Sequence, residues 1–140
     1  MANKMFKTST GSMHFALFII RVGFGIVYML HGWPKISGGP GLWENLGGNM
    51  SVIGFDFIPV FWGFMAAAAE FLGGLFLILG LLTRPAALLM LITMLVATLM
   101  HIQAGDAINT ILHPLKGLVV FVAFFFSGAG KYSVDNMLSR

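Results

Sequence analysis

Residues 57–82 read FIPVFWGFMAAAAEFLGGLFLILGLL, an apolar run broken by a single ionisable side chain, Glu70. A helix needs about 20 such residues to cross the hydrocarbon of a bilayer, so this run predicts a membrane span. The composition points the same way. Hydrophobic residues make up 58% of the 140 and charged residues 9%, whereas a soluble domain is about 45–50% apolar with glycine included and about 25% charged. A compact monomer with so few polar groups could not cover itself in water.

Outward from that run, three further apolar segments predict helices over 13–31, 85–102 and 109–127. At about 20 residues per crossing the chain has room for four spans and little else. The expectation is an all-α, integral membrane four-helix bundle over residues 1–140, with no soluble domain. Arg21 interrupts the first segment and no small-residue cleavage site follows it, which favours a retained helix over a signal peptide. Pro85 can open the third helix, because its missing N–H is not needed in a first turn.

The connection over 34–56 is long and rich in glycine. Within it Leu42, Leu46, Met50 and Ile53 recur near helical spacing beside Trp43; this reads either as a short interfacial amphipathic helix or as an irregular cap. The tail from Gly128 to Arg140 is too polar to cross. Lys4, Lys7, Arg84, Lys131 and Arg140 gather beside one set of span ends and only Lys35 beside the other, which predicts both termini inside and the long loop extracytoplasmic. The net charge of +3 and pI near 9.6 come from these scattered residues, which form no nucleic-acid patch. The absence of cysteine removes thiolate nucleophiles, iron–sulfur clusters and cysteine-bound zinc.

Charges inside spans are costly and need a partner or a wet cavity. Glu70 sits about 18 Å from either end of its segment at 1.5 Å per residue, so it is expected to be paired, protonated or hydrated. Arg21 and Lys116 are its candidate partners, Arg21 also being long enough to reach head groups instead. A fixed ion-pair clasp between helices and a polar site for ligand or proton are both consistent with such a triad. Gly63, Ala67, Glu70 and Gly74 follow a three-and-four rhythm that places Glu70 on a face made for close helix packing.

His31, His101 and His113 fall at span ends that an antiparallel bundle brings to one side. They lack the spacing of a zinc or haem site, so neither metal nor haem is expected. His113 and Lys116, three residues apart, share a helix face, and with Asn109, His101 and Asp106 they can line a pocket open to the outside.

The sequence resembles the DoxX family of small four-helix membrane proteins, part of a wider group that includes the DoxD subunit of thiosulfate:quinone oxidoreductase. About 120 residues carry the resemblance: His31-Gly32 with Lys35, Glu70 followed by Gly73 and Gly80, the turn Leu82-Thr83-Arg84, Met94, Ala97 and His101, and Gly128-Ala129-Gly130 leading to Ser133 and Asp135. It implies a bacterial inner-membrane protein linked to oxidoreductase systems and quinones, with recurrent polar positions at His31, Lys35, Glu70, Arg84 and His101. Lys116 and His113 depart from the aliphatic final helix expected of that family.

The functional expectation is a ligand site built from Arg21, His31, Lys35, Glu70, His101, His113 and Lys116. It would hold a quinone or another amphipathic small molecule, with Glu70 as proton carrier and any electrons supplied by a partner redox subunit. The competing expectation is a non-catalytic anchor or assembly subunit whose loop docks another protein. In either case the apolar exterior is satisfied by the lipid bilayer or by a second copy of the chain.

Overall fold

A computed structural model describes residues 9–140; the basic residues Lys4 and Lys7 lie outside them. The described chain is all-α, and four of its helices are long and apolar enough to span a membrane. Helix α1 covers Thr10–Ser37, α2 Gly39–Gly47, α3 Pro59–Leu79, α4 Thr83–Gln103, α5 Ile108–Ser127 and α6 Val134–Leu138, with a 3-10 turn over Gly48–Ile53 between α2 and α3.

Helix α1 begins where the Ser9 side chain accepts the Ser12 N–H at 3.1 Å, a usual N-cap contact. It runs past His31 and through Pro34, ending where the Gly38 N–H meets the Lys35 carbonyl. Proline removes one rung of the helix ladder, but here it stands in the last turn, and the Trp43 indole N–H supplies a donor to the Lys35 carbonyl at 2.9 Å. The segment expected as either interfacial helix or irregular cap is thus α2 with the 3-10 turn, held to the end of α1 by Trp43 and to α3 by the Trp43–Phe64 ring contact at 5.0 Å.

Helix α1 lies antiparallel along α3, α3 against α4, and α4 along α5. The α1–α3 approach is set by glycine. A Cβ on Gly32 would stand 2.5 Å from the Phe71 nitrogen, and one on Gly74 2.5 Å from the Met29 nitrogen. In lipid, where burial from water offers no gain, such contact lets dispersion hold the pair. The small face of α3 is buried as its rhythm predicts, including Gly63, Ala67, Glu70 and Gly74. Helices α1 and α5 close the ring through side chains, with Tyr28 edge-on to Phe121 at 4.8 Å in a core completed by Leu77, Ala87, Met90, Met94 and Phe124. Ile19, Leu72, Ile92, Val119 and Phe126 are exposed on the outside, the surface a bilayer covers.

The tight α3–α4 turn requires left-handed backbone at Leu82, φ 47°, a conformation that costs a non-glycine residue about 1–2 kcal/mol. Asp135, at the start of α6, offsets it: its carboxylate accepts the Leu82 and Thr83 N–H groups at 2.7 and 2.9 Å. The polar tail therefore folds back as a brace on the helix start.

Candidate functional site: a polar cavity between α1 and α5

Helices α1 and α5 meet through the Tyr28 and Phe121 rings, and from that contact toward the α4–α5 turn a cavity of about 730 Å³ is lined by both. Phe24, Tyr28, His31 and Lys35 recur at four, three and four residues, a single stripe of α1, and all four face the cavity. Met94, Ala97 and His101 form the matching stripe of α4, α5 contributes its first three turns from Asn109 to Gly117, and α3 contributes Glu70.

Glu70 is held by Lys35. The Lys35 ammonium donates to both carboxylate oxygens at 2.7 Å, with the glutamate side chain 3% and the lysine side chain 26% exposed. That partner is neither Arg21 nor Lys116, the two expected from the sequence. The register explains why. With Gly32 of α1 against Glu70 and Phe71 of α3, Gly25 falls against Gly74 and Ile78, and Arg21 against Gly80. Arg21 therefore lies toward the tail end, fully buried, donating to the Leu77 carbonyl at 3.0 Å and the Tyr132 carbonyl at 2.5 Å. It does not line the cavity. Lys35, one turn beyond His31 on the extended α1, occupies the level of Glu70 instead.

The other expected residues are brought together. His31, His101, His113 and Lys116 all line the same cavity as Lys35 and Glu70. His101 Nδ1 lies 2.6 Å from an Asp106 carboxylate oxygen, which fixes its ring. His113 and Lys116 are exposed into the opening. Among the described residues no three His, Asp or Glu side chains converge as a metal site would require. Arg84, a recurrent polar position by the resemblance, is exposed at the tail end, donating to the Phe126 carbonyl at 3.3 Å.

Tyr28 is a site residue that sequence reading missed, as are its wall neighbours Phe24, Val27 and Thr110. It is buried, its hydroxyl donates to the Met94 sulfur at 3.4 Å, and its ring lies 6.4 Å from that of His31. Gly117 makes room for that hydroxyl, since a Cβ there would overlap the Tyr28 oxygen. The signal was present: Tyr28 precedes His31 by three residues and Lys35 by seven, on one helical stripe.

Chemically, the cavity combines a compensated carboxylate–ammonium pair, a free ammonium and three imidazoles above an aromatic and thioether floor. It can bind a polar head by hydrogen bonds and charge, enclose an apolar segment, and pass protons among imidazoles and a carboxylate.

Comparison with known proteins identifies relatives. The DoxX family model matches residues 16–102, which include Lys35, Glu70 and His101; His113 and Lys116 lie beyond the match. The inner membrane protein YqjF of Escherichia coli (strain K12) is 31% identical over 126 residues, covering 87% of this chain and 91% of that protein. No solved structure matches.

Proposed function

This chain belongs to the DoxX family, and from that premise we propose that it is a multi-pass protein of the bacterial inner membrane whose cavity binds an amphipathic small molecule, such as a quinone, for a membrane oxidoreductase system. One observation carries the reading. Six lysine, glutamate and histidine side chains from four helices, spread from His31 to Lys116, line one cavity in a chain that is 9% charged. Polar groups in a span are expensive unless they have work or partners, and helix packing alone does not require them on a shared open wall.

With the termini inside, as the lysine and arginine distribution suggests, the mouth faces the extracytoplasmic side. A polar head would lie among His31, His113, Lys116 and the Lys35–Glu70 pair, and an apolar tail along Phe24, Val27 and Met94. The volume suits a small ligand, since such sites run about 300–1,000 Å³. A quinone, when bound, would supply two-electron, two-proton chemistry, with the electrons coming from a partner redox subunit. The residues of this chain supply the rest. His31 and His113 donate to ligand oxygens, Glu70 holds or releases a proton against the Lys35 charge, and Tyr28 closes the floor.

A second reading, as an anchor or assembly subunit, draws support from an apolar depression formed by Trp43, Ile58, Pro59, Phe61 and Phe64 beside α2. One experiment separates the two. Protein purified in mild detergent is extracted and examined by mass spectrometry and visible spectroscopy. A reproducible amphiphile near one equivalent supports the cavity reading; an empty protein that copurifies stoichiometrically with a partner contradicts it and favours assembly.

A further inference from the structure

The charges of the cavity do not balance. Glu70 is the one carboxylate on its wall, and both of its oxygens are taken by Lys35. Asp106, outside the wall, faces His101. Lys116 has no carboxylate partner among the described residues. It stands eight residues into α5, about 12 Å from the start of that helix at 1.5 Å per residue, and Gly117 beside it touches the Tyr28 floor. Its ammonium is exposed into the opening, where water can hydrate it, and a ligand that displaces that water without bringing a counter-charge strands it at a cost.

A second feature has the same sign. Helix α5 starts at the cavity mouth, its N-cap Ala107 offers no side chain to the first-turn N–H groups, and first-turn Asn109 and Thr110 line the wall. The positive end of a 20-residue helix thus lies at the mouth of the same space. His31 and His113 add two more possible donors. The one carboxylate of the wall is spent while its cationic capacity is not.

Resting on the reading that the cavity holds an amphiphile, we infer that its ligand carries one negative charge on oxygen in the head, with Lys116 as the counter-ion. An alkyl carboxylate and the deprotonated hydroxyl of an alkylated aromatic ring share this chemistry. A neutral head would leave Lys116 uncompensated.

The test uses the full chain in phosphatidylcholine nanodiscs with a stearate spin-labelled near its methyl end, compared with the methyl ester of the same molecule. Electron paramagnetic resonance should show an immobilised component for the acid that is absent for the ester. Lys116→Gln should weaken the acid about tenfold, the scale of one hydrogen bond to a charged group, whereas Lys116→Arg should retain it. Ala97→Phe, which fills the cavity, should abolish it. Competition with unlabelled stearate and with an alkylated hydroxynaphthoquinone, anionic at neutral pH, distinguishes the two sources, displacement by either being expected. Equal immobilisation of acid and ester, or indifference to Lys116→Gln, overturns the anionic head and leaves the amphiphile site standing if Ala97→Phe still removes the signal. If neither spin label nor a neutral alkylquinone is retained, both the inference and the reading beneath it fall.

Discussion

Replacing Lys35 by methionine keeps most of the aliphatic stem and removes the ammonium from Glu70, whose side chain is 3% exposed. Removing one partner of a buried pair costs about 3–5 kcal/mol, because the remaining charge is stranded. Two features lower that figure here. The Lys35 side chain is 26% exposed, so part of its attraction is already screened, and the cavity gives water a route to the carboxylate. A loss of about 2–3 kcal/mol is therefore expected for Lys35→Met. Glu70→Gln should lose about 1 kcal/mol, since the ammonium it leaves behind can turn toward the opening. The double variant Lys35→Met/Glu70→Gln should be more stable than Lys35→Met alone, because no stranded charge remains. Reversible unfolding in mixed micelles, followed by far-UV circular dichroism, measures all three. Strictly additive losses, or a Lys35→Met protein as stable as the parent, would refute the pairing.

Gly74→Ala should destabilise by about 1–3 kcal/mol, because the added methyl meets the Met29 backbone 2.5 Å away and forces α1 off α3; the same micelle unfolding reads it. Asp135→Asn keeps the shape of the α4 brace but loses its charge and one acceptor, so a loss of about 1–2 kcal/mol is expected, with unchanged retention of the extracted ligand. Arg21→Gln should cut folded yield in size-exclusion chromatography, since it empties a fully buried site bonded to Leu77 and Tyr132. Folded Arg21→Gln protein should keep its ligand, a result that separates Arg21 from the cavity.

Four spans were legible because hydrophobic length is a strong signal, and the packed face of α3 because small residues at Gly63, Ala67 and Gly74 leave a visible rhythm. The helix end at Ser37 was not. Pro34 resembles a stop, and what accompanies the extra turn from it to the Gly38 cap is a tertiary contact, the Trp43 indole on the Lys35 carbonyl. That extension places Lys35 on the stripe of His31, which is why its pairing with Glu70 escaped a reading that set it in a loop. Depth alone also misled for Arg21. Two residues inside spans can be equally deep and still face opposite ends of a bundle, and only the α1–α3 register, fixed by Gly25, Gly32 and Gly74, decides between them. The gathering of His31, His101, His113 and Lys116 was readable from antiparallel topology, whereas Tyr28 hid among the aromatic residues of an apolar helix.

The central claim, a wet, ligand-binding cavity between α1 and α5, can be tested directly because the chain has no cysteine. Ala97→Cys places one thiol on the cavity wall and Leu72→Cys one on the lipid-facing surface. In intact spheroplasts, a membrane-impermeant maleimide should label the thiol at position 97 and not that at position 72, and refilling with the extracted ligand should slow the labelling at position 97. Equal inertness of both thiols, or labelling at position 97 that the ligand leaves unchanged, would contradict the account.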